Sequence, residues 1–250
     1  MKTIYTIGYS GFRENLNGFI STLKNYRVDV VIDVRSRPYS SQFSEFNKEY
    51  LSQKLEDQDI VYRNYAEEFG ARQRGMDNYS KAEDILEDEE YPIARSNRVD
   101  KEELNKNDEI IDYNKFIKTQ IYLSGVKKLN DIYDENSAAV LMCSEKDPIN
   151  CHRAIMIAKG LFYNHNYEVK HIIPENNSIR IETQTELEER LIEEFEKKQS
   201  PRSNINQLDL FGNATAIEEA AKPIERYYRK KNILIGWKYT TVNNKEYEMA

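Results

Sequence analysis

Cysteine is scarce in this chain: two residues in 250, Cys143 and Cys151. That excludes a disulfide-stapled secreted scaffold, which relies on several bridges, and leaves the two thiols to packing or chemistry. No stretch approaches the ~18 consecutive apolar residues that a membrane span requires. The start, MKTIYTIGYSGF, carries one lysine and a strand-like run with no apolar signal core. A cytoplasmic protein with no membrane partner is therefore expected. Internal repeats are also lacking, and of the three histidines, His165 and His171 fall in no pattern.

Charge is plentiful, at 32% of residues against 39% hydrophobic, and the mean hydropathy is -0.80. Such a chain can bury a core while carrying polar inserts or tails. The net charge of -7 argues against a nucleic-acid partner only until its location is read. Residues 82 to 113 hold 12 acidic and 4 basic side chains, so almost all of the acidity is one insert. A run of this kind is first a solvated surface and does not decide the partner.

What is present is an alternation of strand and helix. TIYTIG, residues 3 to 8, reads as a strand, and Leu16, Phe19, Ile20 and Leu23 follow at helical spacing from Phe12. VDVVIDV, residues 28 to 34, is the β-branched run of a strand covered on both faces. A helix over 48 to 56, a strand at 60 to 62 and helical spacing over 113 to 129 come next. A second buried strand, AAVLMC at 138 to 143, precedes a helix over 152 to 163 and a strand over 167 to 173. This specifies a three-layer α/β fold, a mainly parallel sheet with helices on both faces. The expected domain runs from 1 to 183, with the acidic insert at about 80 to 113. Beyond it lie an amphipathic helix at 184 to 198 and a polar, proline-containing linker at 199 to 213. A helical or irregular extension over 214 to 250 includes a helix expected at 216 to 229.

Ligands of open α/β sheets bind beyond the carboxyl ends of the strands. There the first strand delivers Gly8, Tyr9 and Ser10, and the second delivers Asp33, Arg35, Arg37 and Tyr39. The third delivers Cys143, Ser144, Glu145, Lys146 and Asp147, with Cys151, His152 and Arg153 opening the next helix. Three arginines at strand ends and a helix N-terminus make an anion-binding crevice. Tyr9, Ser10, Arg35, Arg37, Tyr39, Lys146 and Arg153 are its candidate substrate-binding residues.

The blocks TIGYS, DVRSRPYS and LMCSEKDPINCHR resemble the signature segments of domain-of-unknown-function family 488, over about residues 1 to 180. The last block is the most specific. The resemblance implies an α/β domain with a common polar site and names no reaction. The long acidic insert departs from the shorter members.

Several chemistries fit these residues. Asp33, inside an apolar strand, and Glu145, on the facing loop, are candidate acid-base groups, with Cys151 and His152 beside them. Asp33 has an equally good structural reading as the anchor of Arg35. Either cysteine, beside His152, Arg153 and a helix N-terminus, has the setting of a lowered thiol pKa; Cys143, ending a buried strand, reads first as core, while Cys151 divides evenly between packing and chemistry. The strand-Cys-loop-Arg arrangement also has a faint likeness to rhodanese and cysteine-phosphatase sites. Its spacing departs from them: Cys143 is ten positions before Arg153 and Cys151 only two. A metal site would draw on Cys143, Cys151 and His152, with Glu145. A Cys-x7-Cys-His arrangement lacks the close ligand pair usual for zinc, so neither a metal nor another cofactor is expected.

In the tail, Gln207-Leu208-Asp209-Leu210-Phe211 resembles the QLxLF pentapeptide by which many bacterial DNA polymerases and repair proteins dock on the ring-shaped sliding clamp. Gln207, Leu208, Leu210 and Phe211 are the matching positions, and the segment follows a polar linker. Three readings result. The first is a DNA-maintenance enzyme acting on a nucleotide or nucleic acid and recruited by the clamp. The second is a non-catalytic module for phosphate or nucleic acid, and the third a cysteine enzyme of rhodanese or phosphatase type.

Overall fold

The structure is a computed structural model that describes residues 2–86, 105–134, 137–175, 178–199 and 223–239. The middle of the acidic insert, residues 87–104, and the pentapeptide at 207–211 lie outside the described residues. Strands β1 (Lys2–Gly8), β2 (Val30–Asp33), β3 (Val61–Asn64), β6 (Ala139–Cys143), β7 (Tyr167–Glu175) and β8 (Ser178–Thr183) form one sheet in the order β3-β2-β6-β1-β7-β8. The first five strands in that order pair in parallel, and β8 runs antiparallel to β7. β4 (Tyr79–Lys81) and β5 (Glu109–Ile111) pair antiparallel at the two ends of the acidic insert and close its neck.

The three-layer expectation holds because the central strands are apolar on both faces. Val30, Ile32, Leu141 and Val169 face one core, while Val31, Val140, Met142 and Ile172 face the other. The second face is covered by α1 (Leu16–Asn25) and α2 (Lys48–Glu56), which contribute Phe19, Leu23, Leu51 and Leu55. The first face is covered by α3 (Ala66–Phe69), α5 (Tyr113–Phe116) and α6 (Gln120–Asp134). A π-helical segment, Arg153–Ala158, covers it too and runs on into α7 (Lys159–His165). The short α4 (Ala82–Leu86) packs Ile85 and Leu86 with Ile110 and Ile233. The single helix expected over 113 to 129 is two, divided near Thr119, whose hydroxyl bonds back to the Phe116 carbonyl and accepts from the Tyr122 amide.

The tail returns to the core. Leu187, Leu191 and Phe195 of α8 (Gln184–Gln199) pack with Tyr227, Tyr228 and Leu234 of α9 (Pro223–Ile235) in the same cluster as the sheet. The last helix continues six residues past the expected end at Arg229. Its Asn232 side chain accepts from the Tyr113 amide at 2.8 Å and donates to the Ile111 carbonyl at 2.7 Å. Among the described residues no helix is long and apolar enough to cross a membrane.

Candidate functional site

β2 and β6 are parallel neighbours in a register that sets Asp33 beside Met142. The segments leaving their carboxyl ends, 34 to 39 and 143 to 147, therefore emerge side by side. Between them lies a cavity of about 650 Å³. Six of the expected site residues line it: Arg35, Arg37, Tyr39, Glu145, Cys151 and His152.

Arg35 is only 3% exposed and is held side-on by Asp33. Its Nε donates to Asp33 Oδ1 at 2.8 Å and its Nη2 to Oδ2 at 2.5 Å, while the Arg35 amide donates to Oδ1 at 3.0 Å. Tyr62 Oη adds a fourth donor to Asp33 Oδ2 at 2.6 Å. Burial works against the guanidinium's charge, but the bonds to Asp33 and its negative charge more than offset this and raise the Arg35 pKa. The Tyr62 hydroxyl is pushed up by burial and by the same carboxylate. Asp33 is fully buried and does not line the cavity. Tyr9 is buried as well and forms a stacking platform: its ring lies 5.0 Å from the Arg35 guanidinium and stacks on Phe46 at 4.6 Å. Arg35 Nη1 is buried and has no hydrogen-bond partner among the described residues. A buried guanidinium nitrogen rarely goes unpaired, and this one belongs to a side chain on the cavity wall.

The thiols meet on the same wall. His152 Nε2 is 3.1 Å from the Val34 carbonyl oxygen, and Nδ1 is 3.8 Å from both Cys143 Sγ and Cys151 Sγ. A carbonyl only accepts, so Nε2 carries a hydrogen, and Nδ1 is the ring nitrogen that faces the two sulfurs. The cysteines differ in character. The hydrogen bond to Cys151 pushes the Cys143 thiol well above its ordinary pKa, and burial adds to this. Burial opposes ionisation of Cys151 too, but the Cys143 hydrogen bond, the Arg153 charge and His152 bring it well below the usual value.

Arg153 braces the site from behind. Fully buried, it donates from Nη1 to the Glu145 carbonyl, from Nη2 to the Lys146 carbonyl at 3.0 Å and from Nε to Thr6 Oγ1 at 3.3 Å. It thus holds the loop after β6 and is not among the cavity's lining residues. The loop crosses β1 so closely that a Cβ on Gly8 would lie 1.8 Å from the Glu145 carbonyl oxygen, so only glycine fits there. The Ser10 amide donates to the Ser144 carbonyl at 3.1 Å. The side chains of Ser10 and Lys146 line a neighbouring groove with Arg13 and Pro174 rather than the cavity. Asp147 bonds Arg190 of α8 twice, at 2.8 Å each, and this brings its pKa down although burial works the other way.

Sequence reasoning missed the far wall. Arg72, Tyr113, Asn150 and Trp237 also line the cavity, and the Arg72 guanidinium sits 3.6 Å from the centre of the Trp237 ring. The Arg72 amide is fixed by Ser36 Oγ at 2.9 Å, and Trp237 is placed by its carbonyl, which accepts from the Ile111 amide at 3.0 Å. The only tryptophan of the chain, in a tail rich in aromatic residues, was the available signal.

A model of the family described as Domain of unknown function DUF488 matches residues 15–159, a span that includes Arg35, the thiol pair, His152 and Arg153. No curated protein and no solved structure matches the chain. With more than half of its length covered by that family model, the chain belongs to the DUF488 family.

Proposed function

We propose that this protein is an enzyme that binds the phosphate of a nucleotide or nucleic-acid end at Arg35 and acts on it beside the Cys143, Cys151 and His152 cluster, as a hydrolase or transferase. The observation that carries this is the Nη1 of Arg35, buried and without a hydrogen-bond partner among the described residues, on a side chain that lines a cavity shared with the thiols and the imidazole. A guanidinium whose other edge is already fixed by Asp33 is oriented in advance, so a phosphate oxygen gains a charge-assisted bond with little ordering cost. Arg37 and Arg72 add positive charge to the lining and Glu145 one carboxylate. The exposed Tyr39 ring and the Arg72–Trp237 stack offer flat surfaces of the kind nucleobases stack on.

In this reading the segment Gln207 to Phe211 brings the enzyme to DNA by docking on a bacterial sliding clamp, and the protein works in the cytoplasm. The likeness to the clamp-binding pentapeptide supports it. Binding of a 5′-phosphorylated oligonucleotide and of a nucleoside monophosphate, each against its unphosphorylated counterpart at low, stated salt, tests the phosphate requirement. The phosphorylated forms should bind at least ~10-fold more tightly, and Arg35→Lys, which keeps charge but loses the fork, should remove most of that difference. Equal binding with and without phosphate would overturn the proposal.

A further inference from the structure

We infer that Cys143, Cys151 and His152 form a three-ligand site for a divalent metal ion of the zinc type, its fourth position open to the Arg35 cavity. This deepens the reading of that cavity as the reactive site and rests on it only for what the metal would act upon. The sequence spacing gave no close ligand pair, but the fold supplies one. β6 ends at Cys143, and the turn over Pro148–Asn150 swings the chain back so that Cys151 and His152 return to the same point.

The Sγ atoms of both cysteines and His152 Nδ1 all lie within 4.8 Å of one another, and each sulfur is 3.8 Å from the nitrogen. In a tetrahedral zinc site with bonds of ~2.3 Å to sulfur and ~2.05 Å to nitrogen, ligand sulfur and nitrogen stand about 3.6 Å apart. The two sulfur–nitrogen sides match that geometry to a few tenths of an ångström, and the sulfurs, within 4.8 Å of each other, need only close toward the about 3.8 Å of such a site. The imidazole is also prepared for the task. Ligating histidines are oriented by an outer hydrogen bond from the other ring nitrogen, and the bond from His152 Nε2 to the Val34 carbonyl turns Nδ1 toward the sulfurs.

Two thiolates and a neutral imidazole are a soft, nitrogen-containing set that favours zinc over magnesium or calcium. Two thiolates also balance the ion's two positive charges, which keeps the buried site neutral without a further carboxylate. Binding forms two S–metal bonds and one N–metal bond, and each thiol gives up its proton to solvent as it ligates. All three ligands line the cavity, so a fourth position is left for water or substrate, the arrangement of catalytic rather than structural zinc.

The test is titration of the reduced, metal-free full-length protein with cobalt(II) as a spectroscopic probe, followed by displacement with zinc. One equivalent of cobalt should produce the intense visible bands of tetrahedral coordination together with a thiolate-to-cobalt charge-transfer band. Zinc should abolish both and protect the two cysteines from a thiol reagent. Cys143→Ser, Cys151→Ser and His152→Gln should each weaken zinc binding by at least the ~10–100-fold that loss of a mere outer-shell partner costs. Lys24→Ala, on α1 and outside the cavity lining, should leave it unchanged. Circular dichroism and melting of each variant exclude unfolding as the cause of a loss. An octahedral spectrum, the absence of a charge-transfer band, or undiminished binding by the Cys143→Ser, Cys151→Ser double variant would overturn the inference. A protein that takes up cobalt in this way yet ignores phosphate would retain the metal site and refute the proposed substrate, so the two failures are distinct.

Discussion

His152 Nε2 lies 3.1 Å from the carbonyl oxygen of Val34, joining the start of the helix after β6 to the end of β2. Two strand ends that only run beside each other in the sheet are thereby locked at the point where their side chains meet. Arg35 follows one residue after the acceptor, and Cys151 directly precedes the donor. Small rotations of either segment would separate the guanidinium from the thiols, and this bond opposes them.

The brace from Arg153 should be costly to lose. Arg153→Met should destabilise the protein by about 3 kcal/mol or more, since it leaves two loop carbonyls without donors at ~1–3 kcal/mol each. Arg153→Lys should recover only part of this, because one ammonium cannot span the Glu145 and Lys146 carbonyls and Thr6 as the guanidinium does. Urea unfolding of the three proteins measures it, and equal midpoints would contradict the bracing role.

Acidification should weaken the fold through His171. Thr6 donates to its Nδ1 at 2.8 Å, and its Nε2 bonds Gln184 Oε1 at 3.0 Å. Gln184 in turn donates to Tyr228, and Tyr228 to Glu188. The chain of donors runs one way and requires a neutral imidazole. Burial, with the Arg153 charge, pushes its pKa down to about 3. The folded value lies below the unfolded ~6.5, so this contribution is complete above pH ~6.5 and is lost as pH falls from there toward 3. Between pH 7 and pH 5 the loss should be about 2 kcal/mol from this residue alone. Unfolding titrations of the parent and of His171→Gln give the difference in pH slope, and parallel slopes would contradict the assignment.

Gly8→Ala places a methyl group on the Glu145 carbonyl, while pairing with β6 and β7 prevents β1 from moving aside. The expected cost is ~3 kcal/mol or more, the upper range for overpacking a rigid site. Phosphate binding should change with it, because Ser144 and Glu145 of the displaced loop line the cavity. Thermal melts and oligonucleotide binding on the same samples check both effects.

The sheet was legible because its central strands are β-branched on both faces. Val28 to Val34 and Ala138 to Cys143 admit little but a doubly covered parallel strand, and their adjacency in the sheet places Arg35, Glu145, Cys151 and His152 around one cavity. The strand over Ser178–Thr183 was not read, although Ile179 and Ile181 alternate with polar neighbours. Six residues directly before a long amphipathic helix give that alternation little contrast. The role of Arg153 was hidden for another reason. A charged residue at a strand end looks the same in sequence whether it faces solvent or a buried partner, and only the packed structure shows that Arg153 is spent on carbonyls. Trp237 reaches the cavity through long-range pairing with the small sheet, which no local pattern announces.

A peptide spanning Ser203 to Asn213 should bind the sliding clamp of a bacterial host. Leu208, Leu210 and Phe211 can each contribute ~1.5–3 kcal/mol on burial, from which ordering the peptide takes ~2–5 kcal/mol, so modest affinity, no tighter than about 10 μM, is expected. Leu208→Ala with Phe211→Ala should abolish it, whereas Asp209→Ala should change it least. Calorimetric titration of the clamp with the three peptides decides the matter, and a parent peptide that fails to bind removes the clamp from the account.

The most direct measurement is the position of a phosphate in a crystal of the protein grown with a nucleoside monophosphate. The account predicts a phosphate oxygen at ~2.7–3.1 Å from Arg35 Nη1, inside the cavity bounded by Cys143, Cys151 and His152. A nucleotide bound elsewhere, with Nη1 still lacking a partner, would contradict it.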